Sequence, residues 1–232
     1  MEIPLVEPVL KSNDRLAALN RQRLRQAGLF TINLISSPGA GKTTLLEKTI
    51  PLLRGLGRRS AVLEGDLFTT LDAERIERTE TPVVQINTRG GCHLDAALVG
   101  EALEKLDLRA LDYLWIENVG NLVCPAGYDL GEDLTVVVLS TPEGDDKPAK
   151  YTPAFLRAEA VVLTKLDLLS LSGMDVNRLR QTLRRINPQL ELIPVCARTG
   201  EGMDRWIAYL EQQFQQRTAI DKPIPQTHHR GA

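Results

Sequence analysis

Aromatic side chains are scarce, 4% of the 232 residues, so the core has to be assembled from leucine, valine, isoleucine and alanine. Cysteine is scarcer still: Cys92, Cys124 and Cys196 are the whole complement. An odd number this small gives no disulfide framework and leaves the thiols free for metal or for packing. Histidine is limited to His93, His228 and His229, too few for a histidine-rich storage protein. Neither sign of charge dominates. With 28 basic against 30 acidic residues the formal net charge is −2, without the electrostatic footprint of a nucleic-acid binder. No run approaches the ~18 apolar residues of a membrane span, and Met1-Glu2-Ile3-Pro4 carries neither a basic nor an apolar signal region. The expectation is a cytoplasmic protein that binds neither nucleic acid nor membrane. Wholesale disorder is excluded too, since 43% of residues are hydrophobic and 25% charged, the balance of an ordinary globular chain.

What is present is a rhythm. Apolar runs at residues 31–36, 60–64, 83–87, 113–117, 134–140, 160–164 and 190–196 read as seven strands. Most lack strict alternation, as strands covered on both faces do. Helical spacing fills 42–56, 94–106, 175–186 and 203–215. Strands alternating with helices predict an α/β fold, a mostly parallel sheet of about seven strands with helices on both faces. Residues 11–27 read as an appended amphipathic helix that offers Leu16, Leu24 and Ala27 to one face. After Arg217 the composition turns to Pro, Thr, His and Gly, which predicts a frayed tail. The expected division is an N-terminal extension (1–28), one nucleotide domain (29–216) and a C-terminal tail (217–232).

Ser36-Ser37-Pro38-Gly39-Ala40-Gly41-Lys42-Thr43 follows the first strand and opens a helix. That is the setting in which a Walker A loop is credible. Gly39 and Gly41 are expected to let backbone N–H groups close around phosphate oxygens, where a Cβ would obstruct the wrap. Pro38, Ala40 and Thr44 complete the cradle. Lys42 is expected between the β- and γ-phosphates and the Thr43 hydroxyl on Mg²⁺, with the helix end adding its positive dipole. Ser36 stands where the pattern has its first glycine, at the strand end and before the wrap.

Thr164-Lys165-Leu166-Asp167 ends the sixth predicted strand at the carboxyl edge, where such sheets bind ligands. Asp167 can accept from N1 and N2 of guanine, which adenine cannot reproduce, and the Lys165 stem can cover the base. The tetrapeptide resembles the guanine motif Asn-Lys-x-Asp, with Thr164 in the Asn position. One strand later, Cys196-Ala197-Arg198 resembles the Ser-Ala-Lys loop whose backbone meets the guanine O6, with Cys196 in the serine position and expected mainly to pack. Glu64-Gly65-Asp66 and Glu117-Asn118-Val119-Gly120 end the second and fourth predicted strands. Asp66 is expected to hold Mg²⁺ or position water, Glu117 to hold Mg²⁺ through water, and Gly120 to be the switch glycine. With Lys42 these are the expected catalytic residues.

Gly91-Cys92-His93-Leu94-Asp95 follows the third predicted strand, and Cys124-Pro125 comes shortly after the switch. Cys92, His93 and Cys124 offer two sulfurs and an imidazole, an incomplete site for Ni²⁺ or Zn²⁺. Two copies meeting on a two-fold axis could close it. Read alone, Cys92 is also a helix-start packing residue and Cys124 a loop residue.

Taken together, residues 36–43, Cys92-His93-Leu94-Asp95-Ala96, Glu117-Asn118-Val119-Gly120-Asn121-Leu122-Val123-Cys124-Pro125-Ala126 and the stretch from Glu143 to Tyr151 resemble the hydrogenase-maturation nickel-insertion GTPases of the HypB family, P-loop proteins of the SIMIBI type. Urease nickel-insertion GTPases resemble the chain only through the phosphate loop and a Cys-Pro-His motif. The resemblance, over about residues 29–215, implies a P-loop NTPase fold and hydrolysis of GTP to GDP with Mg²⁺. It also implies a GTP-favoured homodimer and a low-affinity Ni²⁺ or Zn²⁺ site of Cys92, His93 and Cys124 at the dimer interface. The implied partners are a small zinc-containing nickel chaperone of the HypA type and the precursor of the hydrogenase large subunit. No Cys precedes Cys92 and no His precedes His93, so the N-terminal nickel-storage motif of some members is not expected. Lys147 and Lys150 have two readings, as solvated lysines or as groups reaching across a dimer toward nucleotide. Two rival classes are a P-loop small-molecule kinase, whose acceptor pocket and Arg-rich lid are not evident, and a non-catalytic metal-binding protein.

Overall fold

Burial on both faces is what selects the parallel sheet. In the computed structural model, residues 6–66, 71–88 and 90–220 are described, without the side chains of residues 6–9, 66 and 220. Helix α1 (Val6–Ala27) precedes β1 (Phe30–Ser36), α2 (Lys42–Gly55), β2 (Ser60–Asp66), α3 (Leu71–Glu77), β3 (Val83–Asn87), α4 (Ala96–Leu103) and β4 (Tyr113–Gly120). There follow β5 (Leu134–Ser140), α5 (Lys147–Lys150), α6 (Thr152–Arg157), β6 (Ala160–Thr164), α7 (Leu169–Ser172), α8 (Val176–Ile186), β7 (Glu191–Pro194) and α9 (Met203–Ile220). The seven strands run parallel in the order β3-β2-β4-β1-β5-β6-β7.

Alternate residues of each strand feed opposite layers. Phe30, Ile32 and Leu34 of β1 pack with Leu45, Ile50 and Leu53 of α2 and Trp206 and Leu210 of α9. On the other face, Ile35, Val137 and Leu163 meet Phe155 of α6 and Leu179 of α8. Leu63, Leu114 and Ile116 on that face meet Leu24 of α1 and Val99 and Leu103 of α4. Each such side chain taken fully from water contributes about 1.5–3 kcal/mol.

The element bounds differ from the sequence expectation in ways that matter. Strand β4 runs on to Gly120, and β2 on to Asp66, because their neighbours continue the ladder: Ser36 pairs with Gly120 and Asp66 with Asn87. Glu64 and Glu117 are therefore inside strands rather than at their last positions. Strand β7 is shorter than expected, ending at Pro194, and leaves Cys196 in a loop. The four short helices α3, α5, α6 and α7 were not legible, since four to seven residues are too few to declare a period. Helix α9 continues through Arg217 to Ile220; residues 221–232, with His228 and His229, lie outside the described residues.

Helix α1 buries Leu24 as expected, and its covered side extends past the expected residues. Asn13, Ala17, Asn20 and Leu24 form its covered stripe, while Leu16 and Ala27 are only half-buried. No helix among the described residues is long and apolar enough to cross a membrane.

Candidate functional site

The loop from Ser36 to Gly41 sits at the carboxyl edge of the central strand β1, between β4 and β5. Gly39 and Gly41 hold φ of 74° and 98°, a region a Cβ disfavours. That backbone requirement by itself calls for glycine at both positions. Ala40 is buried, and Thr164 Oγ1 donates to its carbonyl at 2.6 Å. The Gly39 carbonyl receives Lys165 Nζ at 2.7 Å. The first turn of α2 has no acidic residue and no side-chain cap from Gly41, so the positive end of its dipole is left for an anion.

Lys42 is buried and donates to Ser36 Oγ at 3.2 Å, with Glu117 Oε1 3.8 Å away. Ser36, the departure from the glycine pattern, thus supplies an oxygen to the loop lysine. Thr43 Oγ1 donates to Glu117 Oε1 at 2.8 Å. Thr44 is turned away: its hydroxyl receives Arg75 Nη2 of α3 at 2.9 Å.

Sequence reading missed part of the carboxylate group. Glu64, Asp72 and Glu117 each bring an oxygen to within 4.8 Å of the others. Glu64 is buried, and desolvation with the neighbouring Glu117 charge pushes its carboxyl up to about 11. Glu117 is raised in the same direction, chiefly by burial, against the opposing pull of Lys42. One buried oxygen on each glutamate, Oε2, has no hydrogen-bond partner. The signal available in the sequence was an acid in each of two adjacent buried strands. Asp66 closes β2, but its side chain lies outside the described residues.

At the base end, Lys165 holds φ of 58°, a strained setting for a non-glycine residue that such sheets reserve for functional loops. Asp167 faces two residues of the next loop: Cys196 Sγ donates to Oδ1 at 3.2 Å and Arg198 to Oδ2 at 3.0 Å. These contacts, the thiol's first, hold the carboxyl below the usual range. Cys196 is buried, so its packing role is accompanied by a polar one. Ala197 is buried beside it.

The metal-ligating candidates come together. The Cys92 thiol donates to Cys124 Sγ at 2.9 Å, and His93 Nδ1 lies 3.6 Å from Cys92 Sγ. The sulfur–sulfur contact keeps the Cys92 thiol protonated above its ordinary value. Burial lowers His93, whose ring lies 4.0 Å from that of Tyr128. The neutral imidazole so favoured is the form a metal binds. Val123, beside Cys124, is exposed.

One short stretch joins the two centres. Glu117 holds Thr43, and a Cβ on Gly120 would come within 2.9 Å of the Pro38 Cα. Asn118 Oδ1 receives the Leu94 N–H at 3.1 Å, and Asn121 Nδ2 donates to the Cys92 carbonyl at 3.2 Å. The residues between Glu117 and Asn121 thus touch the phosphate loop and the Cys92–Leu94 loop in turn.

Within one chain, Lys147 is not merely solvated. Lys147 Nζ lies 3.3 Å from Ser37 Oγ, over its own phosphate loop. Lys150 pairs with Asp146 at 2.5 Å on the surface, one turn earlier in the chain.

The family profile described as CobW/HypB/UreG, nucleotide-binding domain, matches residues 30–194. The hydrogenase maturation factor HypB of Azotobacter vinelandii is 53% identical over 207 residues, 89% of this chain and 68% of that protein. The HypB of Escherichia coli K12 is 48% identical over 205 residues, 88% of this chain and 70% of its own length. Among solved structures, HypB from Helicobacter pylori in complex with nickel superimposes with a TM-score of 0.85 at 34% identity, covering 89% of this chain and 96% of that one. The archaeal HypB of Archaeoglobus fulgidus gives 0.82 at 37%, over 88% and 100%. Profile, identity and fold agree, and the chain belongs to the CobW/HypB/UreG family, in its HypB branch.

Proposed function

We propose that the chain is a GTP-hydrolysing metallochaperone that delivers nickel to the precursor of a [NiFe]-hydrogenase large subunit, working in the cytoplasm as a GTP-favoured homodimer. The observation that carries this reading is the continuity from Glu117 to Cys124: the stretch that contacts the phosphate loop ends on a metal ligand. The nickel-bound relative supports the cargo. A small HypA-type zinc protein is the partner the family suggests. Three donors from one chain are fewer than the four a closed Zn²⁺ site uses. A second copy meeting the first at exposed Val123 would supply the rest.

For hydrolysis, Lys42 binds the β- and γ-phosphate oxygens and the N–H groups of Gly39 to Thr44 surround them. Asp167 selects guanine once Arg198 yields its carboxylate, and Ala197 and Arg198 present backbone to O6. The donor set fits Mg²⁺, a hard ion that takes oxygen: the unpartnered Oε2 atoms of Glu64 and Glu117 lie beside the Thr43 hydroxyl's partner. When bound, Mg²⁺ neutralises charge developing on the phosphates. Thr43, Glu117 and Glu64 would hold it, with Asp66 of the same strand orienting water, and Lys147 stands ready at Ser37 to meet the γ-phosphate.

Coupling is the test. Nickel affinity is measured in GDP and in a non-hydrolysable GTP analogue, at concentrations that fix the dimer fraction. An effect of about 5–150-fold is expected, and nickel must shift nucleotide affinity by the same factor. Cys124→Ala should erase it and Cys196→Ala, outside the switch, should not. Equal nickel affinities in the two nucleotide states would leave a GTPase and a metal site that merely share a chain.

A further inference from the structure

Two asparagines on α1 stand where an amphipathic helix should bury leucine. Asn13 and Asn20, seven residues apart and so on one face, are both buried. A buried carboxamide is costly unless hydrogen-bonded, so what they bond to explains their presence. Asn13 Oδ1 receives the Ala96 N–H at 2.9 Å, and its Nδ2 donates to the Asp129 carbonyl at 2.8 Å. Asn20 Nδ2 donates to the Ala96 carbonyl at 2.8 Å and to the Leu130 carbonyl at 3.2 Å. Only one orientation of each amide satisfies both partners. Each side chain therefore bridges the same two segments.

Those segments carry the metal ligands. Ala96 follows Cys92 and His93 and opens α4; Asp129 and Leu130 follow Cys124 and the Tyr128 ring that covers His93. A third contact from α1, Arg21 to both oxygens of Asp129 at 2.7 and 2.8 Å, braces the second segment. The approach is close: a Cβ on Gly131 would come within 2.7 Å of the Ala17 carbonyl oxygen, and one on Gly100 within 3.1 Å of Asn20 Oδ1. The Asn121 bond to Cys92, the contact between the two thiols and the His93–Tyr128 ring contact join the two segments directly, and α1 adds a tie from outside.

We propose that α1 is the positioning element of the nickel site, its Asn13 and Asn20 carboxamides clamping the Cys92–His93 segment against the segment that follows Cys124. The proposal rests on the reading of Cys92, His93 and Cys124 as metal ligands. Outer contacts that orient ligands set affinity as well as geometry; losing one typically costs 10–100-fold. Asn13 and Asn20 touch no nucleotide-binding residue, so nucleotide affinity should be blind to them.

The experiment titrates Ni²⁺ into the full chain by calorimetry and follows the thiolate-to-nickel absorption band. It compares the parent with Asn13→Ala, Asn20→Ala, the double variant, Arg23→Ala and Cys124→Ala, and measures GDP affinity alongside. The double variant should lose about 10–100-fold in nickel affinity, with an altered band and unchanged GDP affinity. Arg23, which pairs with Glu104 away from the ligands, should show neither effect. Parent-like nickel affinity and band in folded asparagine variants, with nickel lost in Cys124→Ala, would overturn the clamp alone. Nickel retained in Cys124→Ala would remove the metal-site reading and the clamp with it. Should the double variant fail to fold, Asn13→Ser, whose hydroxyl is too short to span both segments, decides by the same two readouts.

Discussion

Gly120 lies against Pro38 so closely that a Cβ on it would stand 2.9 Å from the Pro38 Cα and 3.1 Å from its nitrogen. Both neighbours are backbone and cannot turn aside, so the switch and the phosphate loop behave as one packed unit. Gly120→Ala should cost about 1–3 kcal/mol, as overpacking does, and should lower GTP turnover at least tenfold. Thermal melting and single-turnover hydrolysis check this. A variant with parental melting and turnover would show that the two loops move apart freely.

Glu64 is held protonated, at a cost, in the metal-free protein. Its folded-state value, about 11, stands above the ordinary 4.5. Between those values the folded state binds more protons than the unfolded one, so stability falls as pH rises through that window. Glu64→Gln should therefore raise the melting temperature of chelator-treated protein at pH 8 by roughly 2–4 °C for each kcal/mol recovered. It should flatten the pH dependence and weaken magnesium-dependent hydrolysis. A lower melting temperature at pH 8 than the parent's would mean that Glu64 is stabilising as it stands.

Asp167 is held by Cys196 and Arg198, so guanine has to displace an internal partner. Asp167→Asn should cut the preference for GTP over ATP by roughly tenfold or more, the scale of a hydrogen bond to a charged group. Arg198→Ala should leave the preference in place and speed nucleotide association. Competition binding and stopped-flow mixing separate the two. Equal competition by ATP in the parent would remove the guanine assignment.

Cys92→Ala, His93→Ala and Cys124→Ala should each weaken nickel binding by at least tenfold while sparing hydrolysis in the metal-free protein, since none lies in the phosphate loop. Calorimetry and phosphate release read both. Parental nickel affinity in all three would place the metal elsewhere.

The phosphate loop was legible because strand, glycines, lysine and helix are covalently contiguous: local backbone geometry specifies it, and no distant contact is needed. The same holds for Lys165 and Asp167 at a strand end, for the adjacent pair Cys92-His93, and for seven apolar runs that demand cover on both faces. Tertiary structure decided the rest, because burial reverses what a residue's type suggests. Glu64 and Glu117 read as acids at strand ends until the ladder extends past them and takes both out of water. Lys147 has two readings in the sequence, solvated or directed at nucleotide across a dimer, and only the fold shows it set on Ser37, 110 residues earlier. Asn13 and Asn20 share the covered side of α1 with Leu24, and it is the carbonyls and N–H groups of residues 96, 129 and 130 that let carboxamides be buried there. A period of 3.6 reports which side chains share a face; whether a polar one can be buried there depends on the groups waiting on the other side.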